Sequence, residues 1–244
     1  MFYFDEIDGK KVLKSDVLKG LKHFFTTRET IIKTKEPEFE EVVNDNKKKI
    51  CDYLNVSMEN LISPCQTHTN HVEIVKEDKG DYPETDGLIL NNGTQAVFLN
   101  FADCTPVILY DEKQNIAAVS HAGWRGTAGS IAVVTVEKMV NELGCKKENI
   151  KAAIGPAISM CCYNVGEEVY NKLIATVKNS DGLYEYRDDK IFVDLKNINR
   201  QQLIEAGITE IDVCHYCTVC DNDMFFSYRK ENATTNRHSA VIKL

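Results

Sequence analysis

Apolar positions follow two different periods along this chain. Between residues 72 and 120 come short aliphatic and β-branched runs, VEIV, GLIL, AVFLN, VILY and IAAVS, each bounded by turn residues such as Gly-Asp, Asn-Asn-Gly or Ala-Asp-Cys. Runs of this length and composition predict strands of a buried sheet. Elsewhere the spacing is helical. Phe39, Val42, Val43, Ile50 and Leu54 make an apolar stripe on a polar helix over 37–54. Ala132, Val136, Met139, Val140 and Leu143 predict another, which stops at Gly144, a residue favoured just past a helix end. Strands at 1–4, 23–27, 152–154, 191–193, 211–214 and the terminal SAVIKL, with helices at 167–177 and up to Ala206, complete the outline. Strands and helices mix without strict β-α-β alternation. The expected fold class is therefore α/β or α+β, with mixed β-sheets.

The pattern shows no internal repeat and no Pro/Gly/Ser linker, so the 244 residues are expected to form a single domain, 1–244. Composition changes little here, since 43% hydrophobic and 27% charged residues describe an ordinary globular chain. Charge does change the picture. A net charge of −8 argues against nucleic acid, whose phosphates are gripped by clustered Lys and Arg, and Lys47-Lys48-Lys49 reads as a solvated helix face. The N-terminus lacks a signal-peptide pattern and no apolar run reaches the ~20 residues of a membrane span. The expectation is a cytoplasmic protein with no membrane partner. Its nine cysteines are then mostly reduced, available for packing, metal or chemistry.

Chemistry concentrates in the turn VSHAGWRGTAG, residues 119–129, between a predicted strand and a predicted helix. A bland turn needs only Gly, Asn, Asp or Ser, whereas this one holds an imidazole, the only tryptophan and a guanidinium. The first N–H groups of a helix lack intrahelical partners, and Arg125 adds a charge suited to phosphate or carboxylate. The run is not G-x-x-x-x-G-K-[ST], so no nucleotide P-loop is expected. Two further stretches put soft ligands at strand ends: PCQTHTNHV with Cys65, His68 and His71, and NFADCTPVILYD with Cys104. His68, Cys104 and His121 would make a Cys/His₂ set suited to zinc or copper, but their spacing alone does not bring them together. Each has an ordinary structural reading too.

CHYCTVCD, residues 214–221, resembles part of an iron–sulfur run, yet the fourth Cys and the following Pro are missing and no cluster is expected. No H-x-E pairs with P-C-x-x-C, so a standard zinc deaminase is disfavoured. Tyr163, Phe225, Phe226 and Tyr228 could stack on a base or fill a core. Asp86 and Asp103 could orient metal ligands or simply build turns.

QTH (66–68), TDGLIL (85–90), ADCTPVILYD (102–111), HAGWRGT (121–127), IGPAIS (154–159), YNVGEEV (163–169) and CT…FFSYR (217–229) together resemble the YfiH family, whose members have been called laccase-domain or polyphenol oxidase proteins and also purine nucleoside phosphorylases. The resemblance covers most of the chain. It implies a single domain of layered mixed sheets covered by helices, and a metal, zinc or sometimes copper, held by His68, Cys104 and His121 as the catalytic trio. It also implies phosphorolysis of adenosine, inosine, guanosine and methylthioadenosine, with inorganic phosphate as co-substrate and adenosine deamination alongside. The chain departs from the family in FFTTRETIIK, which keeps Arg28 without the usual glycine pair, and in Thr69, where a glycine usually follows the histidine.

Phosphorolysis requires a held phosphate, a stabilised ribosyl cation-like transition state and a proton for the departing base. Arg125, helped by Arg28 and Arg229, is the expected phosphate grip, with the trio facing the base or ribose. Rival readings are a Cys104/His amidohydrolase that edits peptidoglycan precursors and a copper-dependent polyphenol oxidase. Four coppers would need more histidines than one Cys/His₂ set supplies, and His23, His71, His215 and His238 show no H-x-H pattern.

Overall fold

A computed structural model gives the fold and describes residues 1–77 and 80–244. The chain opens with an antiparallel hairpin, β1 (Phe2–Ile7) and β2 (Lys10–Ser15), followed by β3 (Lys22–Thr26). The turn is Asp8-Gly9, both at positive φ, the dipeptide that suits a two-residue hairpin. Helix α1 (Glu40–Leu54) is preceded by a short 3₁₀ turn at Pro37–Phe39. Strands β4 (Leu61–Ile62), β5 (Val72–Ile74), β6 (Gly87–Leu90), β7 (Ala96–Phe101), β8 (Thr105–Asp111) and β9 (Ile116–Ala122) then lead into α2 (Trp124–Ala128) and α3 (Ile131–Leu143). Next come β10 (Ile150–Ile154), β11 (Asn164–Val165), α4 (Glu167–Ile174), β12 (Tyr184–Arg187), β13 (Lys190–Val193), α5 (Leu195–Glu205), β14 (Glu210–Val213) and β15 (His238–Lys243).

Two six-stranded mixed sheets result, ordered β1-β2-β3-β15-β7-β4 and β14-β10-β8-β9-β6-β5, with a small third sheet β11-β13-β12. Side-chain alternation explains the layers. Along β6, Leu88 and Leu90 join one core while Ile89 joins another; along β8, Ile108 and Tyr110 separate from Val107 and Leu109 in the same way. The first set packs against Leu13, Phe25, Leu99 and Phe101 of the other sheet, and the second against Ile131, Val136 and Met139 of α3. Central strands buried on both faces have to be apolar throughout, which is why they read as continuous runs. Helix α1 covers the outer face of the first sheet with Ile50 and Leu54 against Phe24 and Phe98. The mixed α/β class is the one the pattern predicts, and the layering of sheets under helices is the one the family resemblance implies.

Three local differences have physical causes. Strand β2 carries only Val12 and Leu13 as apolar residues among lysines, and β12 is the mostly polar YEYR, so neither shows a buried run. The helix expected directly after the HAGWRG turn is split, because Ser130 sits in the left-handed region at φ 53 between α2 and α3. Val42 faces outward, and the buried stripe of α1 runs through Val43, Asn46, Ile50, Cys51 and Leu54.

Candidate active site and metal centre

The sheet register assembles the site. Strands β8 and β9 pair antiparallel with Thr105 opposite Ala122 and Pro106 opposite His121, so Cys104, one residue before β8, lies beside the end of β9. Strand β6 pairs with β9 on the other side, with Gly87 opposite Ser120, and the His121 N–H donates to the Asp86 carbonyl at 2.7 Å. Cys104 follows Asp103, whose φ of 81 makes the sharp turn out of β7. His68 arrives from the loop between β4 and β5, itself at φ 65. Gln66 fixes that loop: its amide donates to the Asn100 carbonyl at 2.9 Å and its oxygen accepts the Asn100 N–H at 2.8 Å, as a strand partner would.

Cys104 Sγ and ring nitrogens of His68 and His121 lie within 4.8 Å of one another. His68 is exposed, Cys104 half-buried and His121 buried. Asp86, fully buried, binds this set from behind. One carboxylate oxygen accepts from His121 Nδ1 at 2.7 Å; the other accepts the N–H of Thr67 at 3.1 Å and both the N–H and hydroxyl of Thr69, at 2.7 and 2.9 Å. Thr69, where the related pattern has glycine, therefore ties the His68 loop to the carboxylate that orients His121.

The electrostatics follow from this enclosure. Burial opposes ionisation of Asp86, yet the His121 bond and the Thr69 donors hold its carboxyl far below the usual range. Burial likewise works against a Cys104 thiolate, but the His121 charge and hydrogen bonds from His121 and His68 pull the thiol down to about 6. His121 is raised to about 9 against its own burial, by Cys104 first and by Asp86. With no metal bound, these shifts favour the ion-pair form, a Cys104 thiolate beside a protonated His121. One sulfur and two imidazole nitrogens suit zinc or copper, and a carboxylate on Nδ1 leaves Nε2 free to ligate, so the residues fit a metal.

The trio forms part of the wall of a cleft of about 850 Å³ whose lining also includes Tyr163, Tyr228, Arg229 and Arg237, with Lys33 and Lys35 exposed on it. Arg229 is held by Asp103, which accepts its backbone N–H at 2.6 Å, and its guanidinium donates to Asn164 Oδ1 at 3.0 Å. Arg237, just before β15, donates to the Thr234 and Asn236 carbonyls. Burial keeps the Tyr163 phenol protonated well above its ordinary range, with the Cys104 charge adding to this. Phe225 and Phe226 are core residues, 0% and 4% exposed.

Of the other residues singled out in the sequence, Arg125 is exposed and stacks on Trp124 at 4.2 Å, and Arg28 pairs with Glu231 at 2.9 Å and lies 4.7 Å over the Phe226 ring. Neither lines the cleft, whereas Arg229 does. Sequence reasoning missed Arg237, since a lone arginine ahead of a terminal strand carries no local signal.

Packing accounts for the composition of the turn at residues 119–129. A Cβ on Gly123 would lie 2.9 Å from Cys104 Sγ and 3.3 Å from His68 Cδ2, and one on Gly126 would lie 2.9 Å from the His121 carbonyl. Trp124 packs beside Leu173, Val193 and Ile198, anchoring the turn to α4, β13 and α5.

The model of the family described as multi-copper polyphenol oxidoreductase laccase matches residues 32–244. Purine nucleoside phosphorylase YlmD of Geobacillus stearothermophilus is 34% identical over 215 residues, covering 83% of this chain and 78% of that protein. Adenosine deaminase RL5, from an unknown prokaryotic organism, is 31% identical over 208 residues, 80% of this chain and 79% of that protein. In structure, the hypothetical protein YfiH of Bacillus licheniformis superposes with a TM-score of 0.90 at 29% identity, covering 99% of this chain and 98% of that one.

Proposed function

The chain belongs to the multi-copper polyphenol oxidoreductase laccase family, and from that premise we propose that residues 1–244 form one catalytic domain acting as a purine nucleoside phosphorylase with accompanying adenosine deaminase activity. Its substrates are adenosine, inosine, guanosine or methylthioadenosine with inorganic phosphate. The observation that carries this is the Cys104, His68 and His121 trio facing the same cleft as Arg229 and Arg237. A base-side acid group and a phosphate grip are two of the three things phosphorolysis needs. The nine free thiols support the cytoplasm as its compartment.

In this reading Arg229 grips phosphate, preset by Asp103 and Asn164, and Arg237 adds a second charge. Arg125 acts from the rim: its charge and that of Arg229 both reach Tyr163. Arg28, engaged with Glu231, supports the segment that ends in Tyr228 and Arg229. A phosphate oxygen attacks the anomeric carbon as the bond to the base breaks, and the departing nitrogen takes its proton on the trio's side of the cleft, where His68 is the exposed member. Tyr163, which stays protonated, donates a hydrogen bond from its phenol O–H to the ribose or phosphate. Bound to Cys104, His68 and His121, zinc or copper would supply Lewis acidity for hydrolytic removal of the adenine amino group. His121→Ala is expected to abolish both activities with an unchanged circular dichroism spectrum; a fully active variant would remove His121 from the mechanism.

One observation favours a second reading. Cys104, His121 and Asp86 form a thiolate, imidazole and carboxylate chain of the kind used by amide-cleaving cysteine enzymes. If a peptide-like electrophile labels Cys104 by mass spectrometry and peptidoglycan-precursor amides turn over, that reading prevails; labelling without amide turnover leaves the phosphorylase reading ahead.

A further inference from the structure

A second group of ligand atoms lies apart from the catalytic trio. Cys161 and Cys162, from the segment after β10, meet Cys217 and Cys220, from the segment after β14, with all four sulfurs within 4.8 Å of one another. Cys220 Sγ is 3.7 Å from Cys161 Sγ and 3.5 Å from Cys162 Sγ. The CHYCTVCD run thus finds its missing partners over fifty residues upstream, while Cys214, the first cysteine of that run, is buried in the core between the two large sheets.

We propose that Cys161, Cys162, Cys217 and Cys220 bind one zinc ion in a tetrathiolate structural site. The size of the cluster is the first argument. A tetrahedron of sulfurs at about 2.3 Å from a central zinc has edges of roughly 3.8 Å, close to the separations seen here. A disulfide would need one pair at bonding distance and would not gather four sulfurs, and all nine cysteines are free. A cluster of two or more irons would divide the thiolates among its metals and hold them farther apart.

The surroundings form the second argument. Cys217 Sγ accepts the Ser159 N–H at 3.4 Å, and the N–H groups of Val219 and Cys220, two and three residues on, also point to it. Backbone donors arranged around a Cys-x-x-Cys sulfur disperse the charge of a ligated thiolate. Four thiolates around a divalent cation leave a net charge of about −2. The buried ammonium of Lys196, held by the Cys214 and Tyr216 carbonyls at 2.7 and 3.0 Å, stands close enough to interact with Cys214 and Asp194 and also with Cys217 and Cys161. Arg187 adds a guanidinium bonded to the Met160 and Cys161 carbonyls.

The site joins two segments that both furnish the cleft. One leads from Cys162 directly to Tyr163; the other leads from Cys217 through Thr218, whose hydroxyl donates to Asp103 at 2.6 Å, to Tyr228 and Arg229. A β-bridge, Ala157 to Cys217, and a Thr218 N–H bond to the Ala157 carbonyl also pair them at this point. A bound ion would clamp the part of the cleft wall that carries Tyr163 and Arg229.

The test uses the full-length chain carrying His68→Ala and Cys104→Ser, so that the trio no longer competes for metal. After passage over a weak chelator, elemental analysis is expected to find about one zinc per chain, and cobalt substitution is expected to give the intense visible bands and sulfur-to-metal charge transfer of a tetrathiolate. Cys220→Ser added to this background should remove both; should that variant fail to fold, the cobalt spectrum of the parent still decides. Zinc below about a tenth of an equivalent, a cobalt spectrum without thiolate bands, stoichiometric iron in place of zinc, or a mass two hydrogens short per bridged pair would each overturn the proposal. These readouts do not depend on nucleoside turnover, so the site stands or falls separately from the proposed activity.

Discussion

Gly123 shows how closely the centre of the site is fitted. Its φ of −65 suits any residue, so what excludes a side chain is the 2.9 Å approach to Cys104 Sγ and the 3.3 Å approach to His68. Gly123→Ala should keep the fold, changing the melting temperature little, and lower kcat by about a hundredfold through displaced ligands. Steady-state kinetics beside a thermal melt would check this, and an alanine variant with full kcat would show that the contact is soft. Asp86 makes a related point about reading residues from sequence. TDGLIL marks it as a turn residue or an orienting carboxylate, and the residues alone do not decide. The decision needs the β6–β9 register, which sets Asp86 against His121, and the Thr67 and Thr69 donors from a distant loop.

At the scale of elements, the strands β6 to β9 were legible because burial on both faces forces continuous apolar runs, whereas β2 and β12 were not because partly buried strands keep lysines, tyrosines and glutamates among their apolar residues. The strand β15 was legible as SAVIKL, but the role of its first residue was not. His238 is fully buried between the rings of Phe101 and Phe225, and burial pushes its imidazole down to about 3. A histidine that titrates near 6.5 when unfolded and near 3 when folded leaves the unfolded state holding more protons between those values. Its contribution to stability is whole above about pH 6.5 and is lost at ~1.4 kcal/mol per unit as pH falls toward 3. Denaturant melts at pH 7 and pH 4 should show wild type losing about 3 kcal/mol more than His238→Phe. Equal losses would mean that His238 is already charged in the native state.

Over the whole molecule, a chain of net charge −8 presents Lys33, Lys35, Arg229 and Arg237 to one cleft. A basic concavity in an acidic protein concentrates an anion where the trio stands. The mixed α/β class could be anticipated from hydrophobic periodicity, and the layering and the meeting of His68, Cys104 and His121 only through family resemblance. Long-range meetings could not, because spacing in sequence carries no information about them: Arg237 against the cleft, or Cys161 and Cys162 against Cys217 and Cys220. The most direct measurement is product analysis of the purified, metal-loaded protein with adenosine, with and without inorganic phosphate, separating adenine, inosine and hypoxanthine by chromatography. Adenine is expected to form only when phosphate is present, accompanied by some inosine in either condition. Absence of all three products would contradict it and turn attention to Cys104 as a nucleophile.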